Sequence, residues 1–344
     1  MVLATSQSIF SAVRAAHLPP GPPLLQVVVD TEEEFDWAAP FNRASTATTA
    51  IAAQGLAQAI FAPYRLHPTY VIDYPVATSE AAIAVLKQFR DAGQCQIGAH
   101  LHPWVTPPDE ETVNEVNSYA GNLPPALERA KLIQLTNAIS GNFGAAPTMF
   151  KAGRYGLGPS SAATLAELGY RIDLSALVHT DLRPIHGPDY RATPDRPFWF
   201  GAGLFEVPMT RGLSGPLARL GPRAYHAVNS PFGRRARLPG ILSRLGLLER
   251  ATLTPEGVDF PTQRRLVRAM LAQGHRVFTL SYHSPSLAVG HTPYVQSARD
   301  LAAFLDQLKR IMELFFEELG AEPTNPEAVM ALAEQTFIHS NGAV

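Results

Sequence analysis

Cysteine is nearly missing from this chain, with one residue, Cys95, in 344. A single thiol excludes an internal disulfide and a thiolate-rich zinc site, and within QCQIGAH it reads as a small buried filler. Long apolar runs are missing too. No stretch approaches the ~18 uninterrupted apolar residues of a spanning helix. Charge of one sign is also lacking: the formal net charge is −2, which removes any general case for nucleic-acid binding. No segment repeats and none is low-complexity. The first residues, MVLATSQSIFSAVRAAHLPPGPP, lack the apolar core of a secretory leader, so the expected location is the cytoplasm.

What is present is apolar material, 46% of the chain, arranged as alternating strands and helices. After the breaker LPPGPP, Leu24–Val29 is a short valine-rich run of the kind buried on both faces of a parallel sheet. SEAAIAVLKQFRDAG carries a Ser cap, helical apolar spacing and a closing Gly. CQIGAH, TMFKAG, YRIDLSAL, FEVPM and RVFTLSYH read as further strands. LERAKLIQLTNAISGNFG, SSAATLAELG, TQRRLVRAMLAQG and ARDLAAFLDQLKRIMELFFEELG read as helices. Such repetition predicts a parallel α/β fold, and a barrel accounts best for where the polar residues fall. Asp30, His100, Arg154, Asp173 and His283 each follow the end of a predicted strand, the face where β/α barrels gather reactive groups. The expected organisation is an N-terminal extension over residues 1–23 and one barrel domain over 24–344.

Segment 211–250 interrupts the pattern. It carries eight arginines against one acid, Glu249, a local charge of +7, with much Gly, Pro and Leu and no clear strand. It reads as an insertion at about 211–260, either a solvated loop or a surface for anionic substrate or lipid headgroups.

The chemistry begins at VVVDTEEEFDW. In extended chain Asp30, Glu32 and Glu34 share a face. Like charges crowded at a buried strand end are costly unless a cation sits among them. IGAHLHPW supplies His100 and His102, two apart and therefore on one side of a strand. One carboxylate with two imidazoles suits a divalent transition metal with open positions for water. Glu33 and Glu34 are left as surface charge.

The series VVVDTE, IGAHLHPW, FKAGRYGLG, YRIDLS and LSYHSPSL, in this order over residues 24–310, resembles the motifs of the polysaccharide deacetylase superfamily (carbohydrate esterase family 4 and relatives). The resemblance implies a distorted (β/α)7 barrel that removes acetyl groups from amino sugars with zinc or a similar divalent ion. It implies Asp30 as general base, Glu32 and His100 as metal ligands, and His283 as general acid. Arg154 or Lys151 would hold the base carboxylate, with Arg154 placed in the catalytic set. Trp104, Tyr155, Lys151 and Asp173 are the expected substrate-binding residues, Asp173 alternatively orienting His283 or capping a loop.

The chain departs from that pattern at three points. The second family histidine would fall on Trp104, so His102 is taken as the ligand instead. The metal carboxylate is reached through D-x-E rather than adjacent aspartates. Lys151-Ala152-Gly153 stands where the family has Arg-x-Pro. The implied reaction is metal-dependent hydrolysis of an N-acetyl or other acyl amide on an amino sugar or glycan precursor. The alternatives are an amidase on another small C–N substrate such as a ureide, a metal-poor binding homologue, and a two-carboxylate glycoside hydrolase using Glu33 or Glu34 with Glu206.

Overall fold

The valine run Leu24–Thr31 (β1) is buried along its whole length and lies inside a parallel sheet with a strand on each side. In the computed structural model, which describes residues 9–341 and side chains as far as residue 336, six further strands join it. They are Thr69–Ile72 (β2), Gln96–Leu101 (β3), Met149–Ala152 (β4), Ile172–Asp173 (β5), Leu204–Glu206 (β6) and Val277–His283 (β7). Their ladders are all parallel, in the order β7-β1-β2-β3-β4-β5-β6. No ladder joins β6 to β7 among the described residues. Irregular chain bridges that seam: Leu253 N–H donates to Thr210 O (2.9 Å) and Ser281 N–H to Leu253 O (3.2 Å). The fold is therefore the expected α/β barrel of seven strands, distorted at one seam.

Side-chain alternation divides β1 between two layers. Leu25, Val27 and Val29 share one apolar cluster with Leu86, Leu132, Leu266 and Leu308 of the surrounding helices. Val28 points the other way and packs with Val71, Met149 and Phe205 against Val329 and Met330, which come from the last helix, Pro326–Asn341. That helix follows Glu322–Pro323, which pairs with the first residues of β1, so it closes the end of the barrel opposite Asp30. Asp30 is two residues beyond Val28 on the same face and stands at the open end.

Two segments differ from expectation. YRIDLSAL contributes only Ile172–Asp173 to the sheet, because the chain turns away where Ser175 Oγ accepts the Ala152 N–H (2.8 Å). Segment 211–250, read as lacking strands, begins and ends in one antiparallel ribbon, Arg211–Ser214 with Glu249–Thr252. A four-residue strand with glycine in it gives no alternation to detect. Between the two strands lie three short helices, Gly221–Val228, Pro231–Arg235 and Leu238–Arg244. Of the expected N-terminal extension, residues 1–8 lie outside the described residues. Beyond them Phe10 packs edge-on against Phe198 and Phe200, and Arg14–Ala15 pairs with Phe198–Phe200. Among the described residues no helix is long and apolar enough to cross a membrane.

Candidate functional site

Sheet register assembles the site. His283 lies beside Asp30 across the β7–β1 ladder, and His100 lies beside Lys151 across β3–β4. Glu32 and His102 each follow directly on their strand. Six polar side chains from four strands thus converge at the rim, all buried except half-buried His283.

Glu32 Oε2 is 3.5 Å from His100 Nε2 and 3.4 Å from His102 Nε2. The two rings are fixed from behind. His100 Nδ1 meets Lys151 O at 2.9 Å and His102 Nδ1 meets Glu33 Oε2 at 2.7 Å, which leaves both Nε2 lone pairs facing Glu32. Glu32 Oε1 is buried without a hydrogen-bond partner, and burial pushes this carboxyl up to about 7. Burial pulls His102 down to about 4, keeping its imidazole neutral. An unpartnered carboxylate and two neutral imidazoles, their donor atoms within 4.8 Å of one another, fit a divalent transition metal.

Beside this triad stand two groups held in opposite protonation states. Lys151 Nζ crosses the barrel to Asp30, 2.6 Å from Oδ2. Burial raises the Asp30 carboxyl, but Lys151, His100 and His283 outweigh burial and hold it below the ordinary carboxylate range. His283 Nε2 is 3.6 Å from Asp30 Oδ2, while its Nδ1 is 2.7 Å from Glu256 Oε2. Glu256 also accepts the His283 backbone N–H (3.0 Å) and the Ser286 hydroxyl (2.6 Å). Burial pulls His283 down, yet the Glu256 and Glu32 carboxylates overcome this and push it up to about 10. At neutral pH the rim therefore holds an ionised carboxylate next to a protonated imidazole.

Several expected roles change. Arg154 does not reach Asp30: its guanidinium stacks on Tyr119 (4.2 Å) and Phe41 (4.8 Å) and bonds Ser118 Oγ. Arg154 and Tyr155 both take left-handed backbone, φ 53° and 60°, which turns their side chains onto the cavity wall at a cost of about 1–2 kcal/mol each. Lys151, expected at the substrate, is fully buried beneath Asp30. Trp104, expected as a stacking platform, is only 1% exposed. It lies stacked on His102 with ring centroids 4.2 Å apart and donates its indole N–H to Glu33 (2.7 Å). Asp173 does not line the cavity over Asp30, and His283 is held by Glu256. It is buried opposite Glu206 on the next strand and accepts the Ser175 hydroxyl (2.5 Å). Glu206, buried with it, is equally remote from the cavity, which leaves the two-carboxylate alternative without its second acid. Glu33 is not surface charge but fully buried, joining His102 to Trp104. Glu34 receives the Ala50 N–H (2.6 Å) at the start of a short helix.

Glu256 and Asp73 escaped the sequence reading. Asp73 directly follows β2 and receives the Glu33 N–H at 2.6 Å; its position at a strand end was the available signal. Glu256 lies in an irregular loop after the strand Glu249–Thr252 and had none.

The rim opens into a cavity of about 370 Å³, at the small end of ligand pockets. Asp30, Glu32, His100, His102 and His283 lie on its floor, and its walls include Trp37, Phe41, Tyr119, Arg154, Tyr155 and Tyr294.

No protein-family model and no curated protein matches the chain. Solved structures do. Puue allantoinase aligns at TM-score 0.52 and 14% identity, over 92% of this chain and 95% of that one. The chain shares the fold of that allantoinase. The matches also include a putative polysaccharide deacetylase from Mycobacterium smegmatis, at TM-score 0.49 and 15% identity over 94% of this chain and 96% of that one. A third is the peptidoglycan deacetylase PdaC from Bacillus subtilis, at TM-score 0.40 and 10% identity over 94% and 98%. At such identities the likeness is one of fold.

Proposed function

We propose that this protein is a metal-dependent hydrolase that cleaves an N-acetyl or other acyl amide on an amino sugar or glycan precursor. One observation carries the reading: a Glu32–His100–His102 ligand set lies beside a carboxylate held ionised and an imidazole held protonated. Glu32, His100 and His102 would hold the ion, zinc being suited to this donor set. A bound divalent ion polarises the acyl carbonyl and acidifies water. Asp30, kept anionic by Lys151, takes a proton from the attacking water. His283 gives its Nε2 proton to the departing amine, which leaves poorly unless protonated, and Glu256 stabilises the imidazolium meanwhile. Arg154 and the aromatic walls orient the substrate.

Asp30→Asn and His283→Ala should each lower the rate of acetate release by ~10²-fold or more with metal still bound. Glu32→Ala and His100→Ala should instead lose the metal, read by elemental analysis of the purified protein. Full activity in Asp30→Asn would sink the assignment of the base. The small cavity and the allantoinase likeness favour one second reading, an amidase acting on a small ureide. Ring-opened ureido acid from allantoin, with no acetate from N-acetylglucosamine, would select it.

A further inference from the structure

The insertion has a small core of its own. Leu213, Tyr225 and Leu248 are buried together with Leu217, Val228 and Leu242 packed on them. Four other large apolar side chains are left outside: Phe232 is 79% exposed, Leu245 65%, Leu220 63% and Ile241 45%. On Leu238–Arg244 the division follows helical geometry. Leu242 turns inward, whereas Ile241 and Leu245 are four apart and share the outer face with Arg237 and Arg244. Phe232 stands on Pro231–Arg235 beside Arg234 and Arg235. Arg219 follows the same pattern next to Leu220 on Pro216–Leu220. Every carboxylate but Glu249 is missing from 211–250, and Glu249 is already paired with Arg265 (2.8 Å). Exposed Phe and Leu interleaved with arginine on short helices is the composition of a segment that lies in a membrane interface. A polyanion such as RNA would use the arginines but gives no burial to Phe232 and Leu245.

We infer that the four short helical segments of residues 216–245 dock this protein on an anionic lipid surface, arginines against headgroups and Phe232, Leu220, Ile241 and Leu245 at the acyl boundary. This holds whatever the barrel hydrolyses. The test is cosedimentation of the full chain with vesicles of phosphatidylcholine alone or with ~30% phosphatidylglycerol. Binding to the anionic vesicles is expected to be about tenfold tighter or more, and to weaken with salt. Phe232→Ser with Leu245→Ser, and separately Arg234→Glu with Arg235→Glu, should each cut it about tenfold with unchanged circular dichroism. Equal or absent binding to the two vesicle types overturns the inference. So does loss in the arginine variant alone alongside tight heparin or RNA binding, which would assign a polyanion partner. Dissociation of an oligomer by the Phe232/Leu245 variant, seen by sedimentation velocity, would assign the apolar face to a second copy instead.

Discussion

Glu256 shows how one residue can set the chemistry of another. Its carboxylate grips His283 at Nδ1 and at the backbone N–H, so the ring can neither turn nor easily lose its proton. In Glu256→Gln the strongest of the raising interactions is gone. His283 should then titrate at lower pH, and an activity that needs imidazolium should fail earlier as pH rises. The basic limb of the pH–rate profile is expected to move down by about one unit or more. An unmoved limb would mean that His283 is not the acid. Arg154 and Lys151 make the complementary point. Both were reasonable holders of Asp30 from their place in FKAGR, but only Lys151 faces into the barrel with Met149, two residues before it on β4, whereas Arg154 is turned onto the cavity wall by its left-handed backbone.

Between elements, the site depends on the close approach of the β3 and β4 ends. Gly153 is where they touch: a Cβ there would collide with His102 Cδ2 and stand 2.5 Å from Leu101 O. Gly153→Ala should push the His102 ring out of line with Glu32 and weaken zinc binding by ~10-fold or more, with a lower melting temperature. A zinc titration with a competing chelator measures the first and calorimetry the second. Unchanged zinc affinity would show that His102 is not a ligand. Trp104 packs flat on His102, and Glu33 ties the two together. Trp104 thus braces the His102 ring from behind.

For the whole molecule, the interior carries carboxyls away from the site whose protonation costs or contributes stability. Burial raises Asp173 and Glu206, and it pushes Glu128 up to about 7, where Glu128 clasps Ser161 between two helices. The folded state therefore binds more protons than the unfolded chain between the ordinary value of 4.5 and about 7. Stability is fully present below this window and falls as pH rises through it. Glu128→Gln keeps an acceptor for Ser161 and removes the titration. It should match the parent at pH ~4 and exceed it by about 3 kcal/mol above pH ~8 in urea unfolding. A constant difference across that range would contradict the raised carboxyl.

Most of the fold could be read from the chain because its signals are local. A doubly buried valine run, capped helices and reactive residues at strand ends are each visible within a dozen residues, and together they imply a barrel and its active rim. Asp30, Glu32, His100, His102 and His283 announced themselves by that position, and the structure brings them together. What lies around them did not announce itself. Glu33 among four acids, Trp104 beside a histidine and Lys151 before an arginine look alike on paper whichever way they face, since one residue of register or one left-handed φ reverses the direction of a side chain. Glu256 comes from a loop 27 residues from His283 in sequence, with no periodic pattern to mark it. Local residue order determined the barrel and the reactive residues at its rim. Packing across distant segments decided which groups tune them, because burial and partner charge are properties of three-dimensional neighbours.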